Sequence, residues 1–265
     1  MTRLIDTHCH LDAAEFSSDR QQQLEQALLA GVTTVVIPAV ARKNFTVVTD
    51  LCRQYKNCAC ALGIHPMYVD AATQADLDVL QASLQEPSVV AIGEIGLDYF
   101  VSHDDPVANQ QRQRIFFSAQ LKLARQYDLP VILHVRRAVD EVLKQLRQTP
   151  VCGGIAHAFN GSMQQAEQFI AMGFKLGFGG AMTYERATKL RDLARRLPFE
   201  SLVLETDAPD MPPSWLPAGQ KNSPKELAKI AQVLADLRQV KLSQVLDITS
   251  SNARLVLPKL AHLYT

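Results

Sequence analysis

Eight short apolar runs, rich in β-branched residues, alternate along this chain with amphipathic stretches of helical length. That alternation constrains the topology strongly, because parallel strands cannot be joined by tight turns and need crossovers, normally helices. The runs are Leu4 to Thr7, Thr33 to Pro38, Cys60 to Gly63, Val89 to Gly93, Pro130 to Leu133, Gly154 to Ala156, Lys175 to Gly177 and Leu202 to Leu204, each followed by a helix candidate. Eight such units in 265 residues match the size of one α/β domain of the (β/α)8 TIM-barrel type spanning 1–265, long enough to bury a sizeable core.

The clearest helix is predicted from about Asn109 to Tyr127, with Phe116, Ala119, Leu123 and Tyr127 forming its buried stripe. Ser223-Pro224-Lys225-Glu226 reads as a capping box that starts a helix through Leu237, and a last helix runs roughly from Ser243 to Val256. Asp98 to Ala108 and Ala208 to Asn222 are rich in loop formers and read as walls or lids.

Lys plus Arg and Asp plus Glu each total 27, so no global field draws the protein onto a polyanion or a membrane, and any such recognition is local. Five cysteines at irregular spacing do not form a disulfide framework; Cys9, Cys52, Cys58, Cys60 and Cys152 read as small packing residues in a reducing compartment. Met1 to Asp6 leads straight into a strand without a signal-like segment, and no run is apolar enough to span a bilayer. The expectation is a cytoplasmic protein, and a monomer, since no apolar helix face is left over.

In a parallel barrel the active site lies at the C-terminal rim of the strands, and here the chemically active residues gather after the strands. His8 and His10 follow the first, His65 the third, Glu94 the fourth, His134 the fifth, His157 the sixth, and Glu205 with Asp207 the eighth. Of seven histidines only His103 and His262 fall outside the pattern. His8 and His10, two apart on an extended chain, project to one face while Cys9 turns away. One histidine at a strand end is usually structural, but five on one rim with two carboxylates suit divalent zinc, manganese or magnesium. The expected arrangement holds two divalent metal ions, with Glu94 bridging, His8, His10 and Asp207 on one ion, and His134 and His157 on the other. Such a pair acidifies a bound water and stabilises charge on the attacking and leaving oxygens, and Asp207 is placed to orient that water or take its proton.

The motifs around these residues closely resemble the TatD family of metal-dependent deoxyribonucleases, within the amidohydrolase-like barrels. They are Asp6-Thr7-His8-Cys9-His10, Gly63-Ile64-His65-Pro66, Gly93-Glu94-Ile95-Gly96-Leu97-Asp98-Tyr99, Pro130-Val131-Ile132-Leu133-His134, His157-Ala158-Phe159-Asn160-Gly161-Ser162 and Glu205-Thr206-Asp207-Ala208-Pro209. They occur in the family's order over nearly the whole chain, and Thr206 to Pro212 is most similar to its YjjV-like branch. The resemblance implies metal-dependent hydrolysis of nucleic-acid phosphodiesters, commonly 3′-to-5′ on single strands, and so single-stranded DNA or RNA ends as substrate. It supports the ligand assignment residue by residue and keeps His65 at the rim, where it and Glu205 are expected to hydrogen-bond substrate or ligands rather than coordinate. The alternative is an ester or amide hydrolase on the same site, such as a D-aminoacyl-tRNA deacylase. Intact Glu94 and Asp207 argue against a non-catalytic nucleic-acid-binding protein.

For substrate contacts, Arg136 and the group Arg186, Lys189 and Arg191 are candidates for phosphate, the alternative for the group being a solvated helix face shared with Arg195 and Arg196. Tyr99, Phe100, Phe159 and Tyr184 are candidates for base stacking, with core packing the alternative for Phe159. Trp215 among prolines either shapes the entrance or docks on the barrel.

Overall fold

A computed structural model describes residues 4–101 and 104–264; the predicted position of His103 outside the cluster falls beyond them. Eight strands form one sheet in sequence order: β1 (Leu4–Asp6), β2 (Val32–Pro38), β3 (Cys58–Leu62), β4 (Val89–Asp98), β5 (Val131–Arg136), β6 (Gly154–Ala156), β7 (Phe174–Phe178) and β8 (Leu202–Leu204). Every neighbouring pair from β1 to β8 is parallel. Thr7 closes the ring by donating its backbone N–H and its hydroxyl to the Leu204 carbonyl, both at 3.1 Å. The architecture is a (β/α)8 TIM barrel.

The crossovers are α1 (Arg20–Leu29), α2 (Arg42–Gln54), α3 (Gln74–Ser83), α4 (Pro106–Gln126), α5 (Val139–Gln148), α6 (Met163–Ala171) and α7 (Thr188–Arg196), followed by α8 (Leu227–Arg238) and α9 (Leu242–Val256). Strands covered on both faces need apolar residues throughout, which is why β3 and β4 are buried from end to end. One core lies between the strands and the outer helices. The other fills the barrel interior with Ile5, Val36, Ala59, Val90, Ile132 and Val203, and α9 with the turn after it adds Val256, Leu257 and Leu260. Lys259 donates to the Val89 carbonyl at 3.3 Å, so the C-terminal segment plugs the end of the barrel where the strands begin and leaves the opposite rim open.

Three sequence expectations change. The fourth strand runs on through Glu94 to Asp98, because the register slips between Ile92 and Ile95 and lets the chain continue beside β5. The most deeply buried face of α4 carries Gln113, Phe117, Gln120, Leu121 and Ala124, whereas Ala119, Leu123 and Tyr127 lie at its margin. The reason is polar: Gln113 bonds both backbone groups of Asp98, and Gln120 both of Ile64, so two amides outside the predicted stripe tie the helix to the rim. Ser223 makes no cap; its hydroxyl donates to Gln23 at 2.6 Å, and Pro224–Glu226 forms a 3-10 turn before α8.

Gly96 has φ +145°, and a Cβ there would land on the His134 carbonyl oxygen. Gly219 has φ +82° with open space around it. Gly96→Ala should therefore cost roughly 2–4 kcal/mol by combining backbone strain with overpacking, and Gly219→Ala roughly 1 kcal/mol by strain alone. Urea denaturation of the two variants checks this, and equal losses would contradict it.

Candidate metal centre

The rim is assembled by straps between strand ends. Asp6 accepts the backbone N–H of Thr206 at 2.9 Å, the Thr206 hydroxyl at 2.6 Å and the His8 N–H at 3.3 Å, locking β1 to β8 below the site. Above that lock, Asp207 donates its N–H to the His8 carbonyl at 2.8 Å and His10 donates to the Ala208 carbonyl at 2.7 Å. Asp207 takes a left-handed backbone, φ 56°, which turns the chain at the end of the eighth strand and carries its carboxylate into the rim.

Glu94 stands at the centre, and its two oxygens face different partners. Oε2 lies 3.2 Å from His8 Nε2 and 3.5 Å from His10 Nε2. Asp207 Oδ1 stands 3.5 and 3.6 Å from the same two nitrogens, which are themselves 3.2 Å apart. Oε1 lies 2.9 Å from His134 Nδ1 and 3.6 Å from both His157 Nε2 and His65 Nε2. The rings of His8 and His157 stack at 3.8 Å between the two groups.

The remaining ring nitrogens say which atoms are free to bind a cation. His134 bonds Asp98 Oδ2 through Nε2 at 2.9 Å, and His157 bonds Glu205 Oε1 through Nδ1 at 3.2 Å. With each outer nitrogen bonded to a carboxylate, the inner nitrogen facing Glu94 is the one that can give up its proton for a cation, the arrangement that orients metal-binding imidazoles. Glu205 is fixed in turn by the Ala158 N–H at 2.5 Å. His65 is wired the opposite way: its Nδ1 accepts the Met67 N–H at 3.2 Å, so the neutral ring carries its proton on Nε2, facing inward. It is a hydrogen-bond donor at the rim.

Buried together, these groups shift one another. Burial opposes charge on Glu94, but His8, His65, His134 and His157 hold its pKa well below the carboxylate range. Burial opposes protonation of His157 as well, yet Glu205 and Asp207 push it up to about 10, and Asp98 and Glu94 raise His134 in the same way. His8 falls well below the imidazole value through burial and the neighbouring His157. Burial lifts Asp207 to about 6 against the pull of His157 and His10. Three sets, His8 with His10 and Asp207, His8 with Glu94 and His157, and His65 with Glu94 and His134, bring ligand atoms close enough to share an ion. Convergent imidazoles and carboxylates, with two rings oriented from behind by carboxylates, fit a divalent cation.

All six expected ligands therefore converge, with His65 beside them. Arg136 lines the cleft above. Glu205 is buried behind His157, with Oε1 on that ring, and is not among the residues lining the cleft. Tyr184 stands outside the cleft with its hydroxyl on the Pro212 carbonyl at 3.1 Å. Arg186 covers the Tyr184 ring and Arg191 donates to the Met182 carbonyl, which accounts for two of the basic residues after the seventh strand without substrate. Phe159 is core, and Trp215 docks on the barrel by donating to Glu226 at 2.7 Å. Cys152 is exposed, in contrast to the other four thiols, because it sits in the turn before β6. Asp98 is the residue that sequence reading missed. Its signal was the alternation Glu94, Gly96, Asp98, which becomes legible only if the fourth strand continues.

The TatD related DNase family is matched over residues 5–258. The chain belongs to the TatD family. It is 43% identical over 253 residues to the Escherichia coli K12 metal-dependent hydrolase YjjV, covering 94% of this chain and 96% of that one. The crystal structure of the E. coli YjjV protein superposes with a TM-score of 0.92 over 97% of this chain and 98% of that one, at 42% identity. The 3′-5′ ssDNA/RNA exonuclease TatD of Klebsiella pneumoniae is 31% identical over 257 residues, covering 95% and 96%. This TatD-family protein is accordingly a metal-dependent hydrolase, and its His, Glu and Asp cluster is able to hold metal. Asp98→Asn and Glu205→Gln should each weaken metal affinity about 10- to 100-fold by releasing a ring from its orienting carboxylate. Calorimetric titration with zinc or manganese checks this; wild-type affinity in both variants would contradict the orienting role.

Proposed function

We propose that this protein is a nuclease that hydrolyses phosphodiester bonds at the 3′ ends of single-stranded DNA or RNA with two divalent ions. The observation that carries the reading is the division of the Glu94 carboxylate, one oxygen toward His8 and His10, the other toward His134 and His157. Glu94 would bridge, His8, His10 and Asp207 would hold one ion, and His134 and His157 the other. Divalent ions there supply an acidified water and neutralise charge on a phosphate.

The chain's own groups do the rest. Asp207 borders the open cleft, where it orients the attacking water and takes its proton. His65 directs its Nε2 proton into the same space and hydrogen-bonds a phosphate oxygen. The cleft is about 780 Å³, with exposed Tyr68 on its wall, a face on which an unpaired base can stack. A balanced net charge favours short or single-stranded substrates over long duplex. The exonuclease named among the relatives supports this substrate class.

The test is metal-stripped protein reconstituted with magnesium, manganese or zinc, assayed on end-labelled single-stranded DNA, RNA and D-aminoacyl-tRNA. Metal-dependent shortening of the oligonucleotides from the 3′ end is expected, and cleavage of neither with any metal sinks the reading. Asp207→Asn should lower kcat about 10²- to 10⁴-fold while circular dichroism shows an intact fold.

A further inference from the structure

At the rim beyond His134 the chain does something that neither the fold nor the metal centre requires. Arg136 ends β5 and Arg137 follows it, both exposed and both lining the cleft. Consecutive residues on an extended chain point to opposite faces, but Arg137 has a left-handed backbone, φ 55°, which a non-glycine residue adopts only at a cost. The result is that both guanidiniums lie over one ring, that of Phe100, at 3.7 and 4.5 Å from its centroid. Among the described residues neither guanidinium has a hydrogen-bond or ion-pair partner.

The neighbouring acids are committed elsewhere. Asp98 pairs with Arg136 in the sheet register, but its Oδ1 accepts from Phe100 and Val101 and its Oδ2 meets His134. On α5, Asp140 accepts from Gln165, and Glu141 pairs with Lys144. Two like charges therefore lie over one aromatic ring at the cleft, and Asp210, on the loop after β8, is the exposed carboxylate that also lines it. Planar guanidiniums placed this way suit one tetrahedral anion held by paired N–H groups.

We infer that Arg136 and Arg137, seated on Phe100, form a clamp for the phosphate next to the scissile one. Arg136 lies two residues beyond His134 along the strand, about 6.6 Å of extended chain, the scale of one step along a nucleic-acid backbone. This rests on the nuclease reading: an enzyme removing a 3′-terminal nucleotide finds its only neighbouring phosphate on the 5′ side. The clamp makes that second phosphate a specificity determinant, so the minimal good substrate carries two phosphodiesters. Phe100 is a positioning residue that keeps the two guanidiniums together.

The experiment compares kcat/KM for d(TpT), which has one phosphodiester, with d(TpTpT), which has two, using metal-loaded enzyme, and bis(4-nitrophenyl) phosphate as a substrate without nucleosides. Wild type is expected to prefer the trinucleotide by tenfold or more, and Arg136→Ala, Arg137→Ala and the double variant to bring that ratio toward one. Phe100→Ala should lower the ratio partway, Arg136→Lys should restore it only in part, and Arg195→Ala, on the exposed face of α7, should keep it. A wild-type ratio near one, or arginine variants that slow both oligonucleotides equally, overturns the clamp. Wild type that hydrolyses bis(4-nitrophenyl) phosphate but neither oligonucleotide removes the nuclease reading and the clamp with it, an outcome visible before any variant is made.

Discussion

The carboxylate of Glu94 is the group on which the site depends. A buried charge is costly unless it is fully paired, and this one is paired on both oxygens by imidazoles from three different strand ends. The backbone around it is shaped to that end. Gly63 leaves room where any Cβ would strike Ile95, Gly96 lets the chain pass against the His134 carbonyl, and the register slip in the fourth strand keeps both Glu94 and Asp98 beside the fifth. Remove that local irregularity and the strand would still be a barrel strand, but Glu94 and Asp98 would not reach His134 from both sides.

Outside Glu94 the same principle repeats one layer away. Asp98 and Glu205 each occupy the far nitrogen of a ring whose near nitrogen faces Glu94. They determine which ring nitrogen faces inward, and so which atom of each ring stands beside Glu94. His65 shows the contrast: a backbone N–H instead of a carboxylate sits on its far nitrogen, and the inward atom becomes a donor. Whether a rim histidine binds a cation or offers a proton is thus decided by what stands behind it.

This explains what was legible in the sequence. Alternating apolar runs and helices require a parallel barrel, and the barrel requires that residues after each run share one rim; His8, His10, Glu94, His134, His157 and Asp207 follow from those two constraints. What stands behind the rings did not follow. Glu205 reads as another rim acid, and only its pairing with His157 and the Ala158 N–H shows it turned away from the cleft. Asp98 reads as the start of a loop because glycines at 93 and 96 look like a strand ending, when they are the means by which the strand continues. Gln113 and Gln120 fall outside the predicted stripe of Phe116, Ala119, Leu123 and Tyr127, since side-chain period cannot reveal that the backbone of the rim needs their amides. Tyr184 followed a strand as the others did, but a 3-10 turn after β7 carries it past the cleft to the Pro212 carbonyl. Rim membership is a property of topology and can be read; the facing of each side chain is a property of its neighbours.

The zero net charge, which first weighs against a polyanion substrate, becomes informative once charges are placed. The floor of the cleft holds Glu94, Asp98 and Asp207, while Arg136 and Arg137 stand at the mouth. Within this cleft the metal-site acids lie deeper than the two guanidiniums. Under the proposed reading, a phosphate would meet the Arg136 and Arg137 guanidiniums at the mouth and the acidic floor across an intervening cation. Carboxylates alone at that depth would repel it. Overall charge governs long-range attraction, whereas recognition under the proposed reading is local, between the metal centre and Arg136.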